Sequence, residues 1–318
     1  MSDALDALAG QLARDLSAYP AISRTIDDVL AVWPDHQRYI AKSFGARSDA
    51  VWATSEALAA AARVLVGDRM SEIASHYRWT CDRLREDEIH FHRTGRYRLT
   101  TFAEADREVY SNPEYMEKYV DGLLLSQLLW FNHAASCEFF LTTTPRLLPA
   151  GRRMLEIGPG HGLMTYLALR DFALASAVAW DISPVSIEQT RTALAKLGRD
   201  DVEFGVRDLM AVQPGVDRFD FVVLSEVLEH VEDPMQALRQ VRGLLHDDGL
   251  LFVNVPINSP SPDHLYLMKS IEDARALLDE TGFDIVEQGV FPSQGAPLEK
   301  ALRNQMTVSV CMFGRRKP

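Results

Sequence analysis

One short run constrains this chain most: Met154-Leu-Glu-Ile-Gly-Pro-Gly-His-Gly162, an apolar segment that ends in three glycines spaced two apart. Glycines at 158, 160 and 162 permit positive φ and let the backbone pass close to a ligand where a side chain would collide. The helical run LMTYLALRDF follows. The order strand, glycine turn, helix is that of the nucleotide-binding edge of an open α/β sheet. A dinucleotide loop, G-x-G-x-x-G, wants its last small residue where Leu163 stands, which disfavours the alternative of a nicotinamide-dependent oxidoreductase. A non-catalytic module that binds a cofactor or a partner is a third reading.

After Gly151, short apolar runs alternate with helical stretches, which predicts strands at 153–157, 177–181, 202–206, 219–224, 250–255, 284–290 and 306–313. Such alternation implies crossover connections and a mainly parallel sheet covered on both faces. Two of these strands end in acids. Asp181 closes Ala177-Val-Ala-Trp-Asp181, 25 positions after Glu156, where a carboxylate can accept both hydroxyl protons of a ribose. Asp208 closes the third strand, where it can accept from an adenine amine while Leu209 packs on the ring. The fourth strand runs Phe219-Asp-Phe-Val-Val-Leu-Ser-Glu-Val-Leu-Glu-His-Val-Glu-Asp-Pro234 into a short helical turn.

Taken together, these four elements resemble the class I S-adenosylmethionine-dependent methyltransferases over residues 150–315, especially the branch with an E-V-L-E-H-V segment after the fourth strand. That branch includes ubiquinone-biosynthesis O-methyltransferases and antibiotic-pathway enzymes. The resemblance implies a Rossmann-like α/β fold with a seven-stranded, mainly parallel sheet, and S-adenosylmethionine as cofactor. It implies that Glu156, Gly158, Gly160 and Gly162 surround the methionine part, and that Asp181 and Ile182 take the ribose and adenine. Asp208 and Leu209 would hold the adenine, and Ser225 and Glu226 would lie beside the methyl donor. His161 departs from the smaller residue usual there. Gly249 to Pro256 matches the family's fifth strand, and Thr281-Gly-Phe-Asp-Ile-Val the turn into the sixth.

The first half reads differently. Leu5, Leu8, Leu12 and Leu16 recur at helical spacing, and Pro20, Pro34, Gly45 and Gly67 punctuate about five helices before Arg85. Alternation around Thr94-Gly95 in EIHFHRTGRYRLT predicts a hairpin over 88–100. Helices followed by a hairpin resemble the degenerate winged-helix unit that precedes the catalytic domain in many O-methyltransferases and makes their dimer interface. Residues 113–141 predict one or two long helices. The expected organisation is thus a helical substrate and dimerisation domain at 1–145 and a cofactor-binding catalytic domain at 146–318.

The formal net charge is −12, with 16 Lys/Arg against 21 Asp/Glu in residues 1–150 and 17 against 24 in the remainder, so neither half is expected to bind nucleic acid. The arginines between Arg78 and Arg98 are interleaved with acids. Cys81, Cys137 and Cys311 have no ligand or disulfide spacing, which fits a reducing, cytoplasmic setting. The N-terminus lacks a basic-then-apolar leader pattern, and Arg63 interrupts the apolar run 57–66, so no membrane span is expected.

Methyl transfer from a sulfonium needs alignment and desolvation, and a base only where the acceptor must lose a proton. His230 is the first candidate base, with Glu226 beside it, and His133 in Leu129-Trp-Phe-Asn-His is a second. Helix or turn packing is the plainer role for both histidines. Tyr110, Tyr115 and Tyr119 are candidates for a lid, and Asn258 to His264 for a wall of the acceptor pocket. Glu88, His90 and His92 share one face of the supposed hairpin but lack a fourth ligand, so no metal is expected. The expected acceptor is oxygen or nitrogen of a small metabolite.

Overall fold

In the first unit, apolar spacing of three and four drives a run of helices. The computed structural model describes residues 3–212 and 217–317. Helices α1 (Asp3–Leu12), α2 (Pro20–Val32), α3 (Gln37–Gly45), α4 (Asp49–Val66) and α5 (Met70–Thr94) come first. α6 (Phe102–Ala105) continues into a π-helical turn at Asp106–Tyr110, and α7 (Pro113–Leu129) and α8 (Phe131–Leu147) complete the series. Caps set the boundaries: Ser48 accepts from the Val51 amide at the start of α4, and Gly67, at φ 58°, ends it. α5 and α7 approach closely at Gly122, where a Cβ would lie 2.1 Å from Thr80 Oγ1.

The hairpin expected over 88–100 is absent. Residues 88–94 are the last turns of α5, whose buried residues Tyr77, Thr80, Asp87 and Phe91 keep a helical face while Ile89 points outward. Thr94-Gly95 is a helix stop: Gly95 takes the left-handed conformation at φ 68° and donates its amide to Phe91 O at 2.7 Å. The winged-helix resemblance thereby loses its wing, and no strand occurs before residue 153 among the described residues. Glu88 and His92 lie one turn apart on this helix, 3.9 Å from each other. By length and composition, Asp49–Thr94 is apolar enough to cross a membrane, although 44% of its most apolar window is buried inside the protein.

The second unit carries strands β1 (Arg153–Ile157), β2 (Ser176–Asp181), β3 (Val202–Val206), β4 (Phe219–Ser225), β5 (Leu245–Ile257), β6 (Phe283–Pro292) and β7 (Val308–Arg316). Helices α9 (Leu163–Asp171), α10 (Pro184–Lys196), α11 (Pro234–Leu244) and α12 (Ile271–Glu280) connect most of them, and α13 (Leu298–Arg303) precedes β7. All seven expected strands are present. They form one sheet in the order β3-β2-β1-β4-β5-β7-β6. β1 pairs in parallel with β2 and β4, placing Glu156 beside Ala179 and Val223. The apolar runs of β1, β4 and residues 250–257 of β5 follow from burial on both faces. Phe140 packs on Phe221 and Phe252, and Phe313 packs on Phe252 and Phe139.

The compact units are discontinuous in sequence. The helical one comprises 1–138, 259–263 and 291–308, and the sheet-bearing one 139–258, 264–290 and 309–318.

Candidate active site

The strand order reverses between β1 and β4, and the carboxyl ends of those two strands open the crevice where open α/β sheets bind ligands. Both chains that leave it are tightly shaped. Gly158, Gly160 and Gly162 take φ of 69°, 52° and 71°. A Cβ on Gly158 would meet Val227 Cγ2 at 2.8 Å, and one on Gly162 would meet Leu194 Cγ at 2.9 Å. Gly160 differs: no atom lies within 4 Å of the Cβ it lacks, so its outer side is open for a ligand's approach. Thr190 Oγ1 on α10 donates to Gly160 O at 2.7 Å and fixes the loop from behind.

Glu156 is buried at the end of β1, and its carboxylate accepts from the Thr165 hydroxyl on α9. Burial pushes its acid up to about 7, against the Thr165 hydrogen bonds that pull it down. Asp181 accepts from the Ser183 amide and the Ser186 hydroxyl, each at 2.8 Å, so its carboxylate is held at the head of α10 with lone pairs remaining for a ribose. Ile182, next to it, is 54% exposed, an apolar surface of the kind an adenine ring covers. Asp208 caps the turn 209–211 by accepting from the Met210 amide at 2.9 Å, and Leu209 is buried.

At the end of β4, Ser225 Oγ accepts from Asn254 Nδ2 at 3.2 Å. Glu226 follows in the left-handed region at φ 56°, one of five described non-glycine residues at positive φ. Its amide donates to Asn254 O at 2.9 Å, and one carboxylate oxygen, Oε1, is buried without a hydrogen-bond partner. Burial raises its acid.

The turn after Glu226 brings together a group that the sequence did not reveal. Glu229 is fully buried, and its carbonyl accepts from the Leu265 and Tyr266 amides. This pins the loop after β5 so that the His264 ring lies edge-on to His230, centroids 4.9 Å apart. Ligand atoms of Glu229, His230 and His264 all lie within 4.8 Å of one another, a donor set suited to a divalent cation or a proton relay. Where no metal was expected, the residues for one converge. His264 stands 34 positions from His230, and nothing in local spacing signals that they meet.

His133 belongs to the helical unit. Its Nδ1 lies 3.2 Å from Ser126 Oγ and 3.4 Å from Gln127 Nε2, and burial pushes it down to about 4, which keeps it neutral. In the same unit, two of the three tyrosines expected as a lid, Tyr110 and Tyr119, hold segment 259–263, joined by Tyr97. Tyr119 donates to Asp263 Oδ1 at 2.8 Å, Tyr110 to Oδ2 at 3.4 Å, and Tyr97 accepts from the Ser259 amide at 3.0 Å.

A doubly wound sheet with a glycine-rich turn after β1 and acids following β2 and β3 is the arrangement at which open α/β sheets bind nucleotides. Residues 131–288 match the family model described as a methyltransferase domain, so this segment is similar to methyltransferases. Similar proteins include the ubiquinone biosynthesis O-methyltransferase of Xanthomonas axonopodis pv. citri, 34% identical over 135 residues, covering 42% of this chain and 54% of that one. The enzyme of the same name from Neisseria meningitidis serogroup C is 31% identical over 126 residues, covering 38% and 51%. The chain thus spans about half the length of the curated relatives it matches. The mitomycin 7-O-methyltransferase MmcR shares the fold at a TM-score of 0.52 and 19% identity, over 79% of this chain and 74% of that one.

Proposed function

We propose that this chain transfers a methyl group from S-adenosylmethionine to oxygen or nitrogen of a small metabolite, with residues 146–318 as the cofactor-binding part. The observation that carries the reading is the cradle of Gly158 to Gly162, in which Gly158 packs against Val227 while Gly160 has nothing within 4 Å of the Cβ it lacks. When bound, the cofactor supplies a methyl carbon already activated by its sulfonium charge. The chain's own residues have the remaining tasks. Asp181 and Ile182 seat the nucleoside, the glycine loop passes the methionine part, and the dry wall of β1 and β4 excludes water.

Where the acceptor must lose a proton, the imidazoles of His230 and His264 are the groups within this cluster able to take it, with Glu229 orienting them. His133, held neutral inside the helical unit, is assigned to packing. The oxidoreductase reading is not favoured, since the loop lacks the small residue needed at Leu163. Isothermal titration with S-adenosylmethionine, S-adenosylhomocysteine and NADH tests the reading. Binding of the first two and not the third is expected, and binding of NADH alone would overturn it. Transfer of labelled methyl to extract metabolites, read by mass spectrometry, identifies the acceptor.

The helical half is further proposed to supply acceptor contacts and a homodimer interface, in a reducing cytoplasm that suits the three free cysteines. Light scattering that gives a monomer at micromolar concentration would refute the dimer.

A further inference from the structure

Irregular backbone ordinarily runs over the surface, where water serves its polar groups. The chain after β5 does the opposite. Residues 261–265 are buried, although none of them belongs to a helix or a strand. The base of this loop is closed within the sheet-bearing unit, where Asn258 donates its amide to Met268 O at 2.9 Å and its Nδ2 to Lys269 O at 3.2 Å. The strap at its tip, 259–263, folds with the helical unit instead. Loops closed at the base and packed along their length are often functional.

Three tyrosines of the helical unit hold the strap by their hydroxyls. Tyr97 accepts from the Ser259 amide at 3.0 Å, and Tyr110 donates to Asp263 Oδ2 at 3.4 Å. Tyr119, buried on α7, makes the central contact: it donates to Asp263 Oδ1 at 2.8 Å, and its oxygen lies 2.6 Å from Ser261 Oγ. Ser261 Oγ is also 3.1 Å from Asp263 Oδ1, so two hydroxyls and a carboxylate close a triangle. Pro260 and Pro262 restrict the backbone on either side of Ser261, which leaves the strap few other conformations. Just beyond it, Leu265 and Tyr266 donate their amides to Glu229 O at 2.8 and 3.0 Å. His264 is thus the single residue between two anchors, Asp263 held in the helical unit and Leu265 held in the sheet-bearing one.

The geometry points to Tyr119 as a positioning residue for His264: through Ser261 and Asp263, its hydroxyl sets where the strap ends and so where the imidazole stands beside His230. This rests on the reading of His264 as a proton acceptor in methyl transfer and adds the helical unit to it. An imidazole takes a proton only within hydrogen-bond reach of the atom that gives it up. A side chain on irregular backbone keeps such a reach only where neighbouring groups lock it. Here the lock is the hydroxyl triangle. The half of the chain proposed to contact the acceptor thereby also places the group that removes the acceptor's proton.

The test compares wild type with Tyr119→Phe in the full chain, with a chelator present so that cations at the histidine cluster do not contribute. The His264 ring nitrogens are followed in nitrogen-proton correlation spectra, assigned by their loss in His264→Gln. Amide exchange is followed for Leu265, Tyr266 and helices α5 and α7. In Tyr119→Phe the His264 signals are expected to move and the Leu265 and Tyr266 amides to exchange about tenfold faster or more, while α5 and α7 stay within roughly twofold of wild type. Tyr110→Phe, which removes only the 3.4 Å contact, should give a smaller change of the same kind. Unmoved His264 signals, or a loss of protection spread along α5 and α7, would overturn the inference. Ser261→Ala removes the other hydroxyl of the triangle from outside the helices, so the same local response must appear there even if Tyr119→Phe folds poorly. Methyl transfer from labelled S-adenosylmethionine to extract metabolites separates the underlying reading. Wild-type transfer by His264→Gln refutes the proton role of His264 and this inference with it, whereas lost transfer there, beside unmoved signals in Tyr119→Phe, refutes the positioning alone.

Discussion

A glycine is informative only where something forbids its replacement, and the three in the cradle are forbidden for different reasons. Gly158 and Gly162 are blocked by Val227 and Leu194 inside the protein, so alanine there perturbs the fold. At Gly160 the obstacle is φ of 52° alone, which costs alanine about 1 kcal/mol. Gly160→Ala is therefore expected to lower stability by about that amount, yet to weaken S-adenosylmethionine binding by tenfold or more, on the order of 1.4 kcal/mol. A denaturation curve and a binding titration on one sample separate the two effects. The cluster of Glu229, His230 and His264 makes a second residue-level prediction. Mn²⁺ added to chelator-treated protein is expected to raise its melting temperature, and His264→Ala to remove that rise. An unchanged melting temperature in wild type leaves the relay as the use of these side chains.

At the scale of elements, the tightest requirement lies in the helical unit, where α5 and α7 meet at Gly122. A methyl there would fall 2.1 Å from Thr80 Oγ1 and 3.2 Å from His76 O, contacts that helices in register cannot relieve without sliding. Gly122→Ala should cost about 1–3 kcal/mol despite alanine's better helix propensity, as measured by chemical denaturation. Nothing local in Val120-Asp-Gly-Leu-Leu reveals this, because the constraint comes from a helix some forty positions earlier. The strands were legible for the opposite reason. β1, β4 and residues 250–257 of β5 are buried on both faces, so each is mostly a run of apolar residues. The false hairpin arose where local and long-range signals conflict. Residues 88–98 alternate in polarity, but Phe91 continues a buried face begun at Met70, and that 25-residue periodicity decides the structure. The glycine loop and Asp181 were readable because their chemistry is local. His264 was not, since it reaches the site through the backbone bonds of Leu265 and Tyr266 to Glu229.

Across the whole molecule, the buried histidines of the helical unit and Glu156 of the sheet-bearing unit respond to pH in opposite senses. In the helical unit His36 and His133 are both pushed down from 6.5 to about 4 by burial. As pH falls through that window the unfolded chain takes up protons that the folded unit refuses, so the stability they allow is present above about 6.5 and is lost toward 4. In the sheet-bearing unit Glu156 is pushed up from 4.5 to about 7. There the unfolded carboxyl ionises first while the folded one keeps its proton, so stability is fullest below 4.5 and declines as pH rises to about 7. Each group commands up to about 3 kcal/mol. Hydrogen-exchange mass spectrometry at pH 5 and pH 8 reads the units separately. Residues 20–130 should lose protection at pH 5 relative to pH 8 once intrinsic rates are corrected, and strands β1 and β4 should show the reverse. Glu156→Gln should flatten the response of β1 and β4 and leave the helices unchanged. A common response of both units, with Glu156→Gln altering neither, would show that other groups govern the pH dependence. A ligand bearing positive charge beside Glu156 offsets the ionised carboxylate, so S-adenosylmethionine should restore protection of β1 and β4 more at pH 8 than at pH 5.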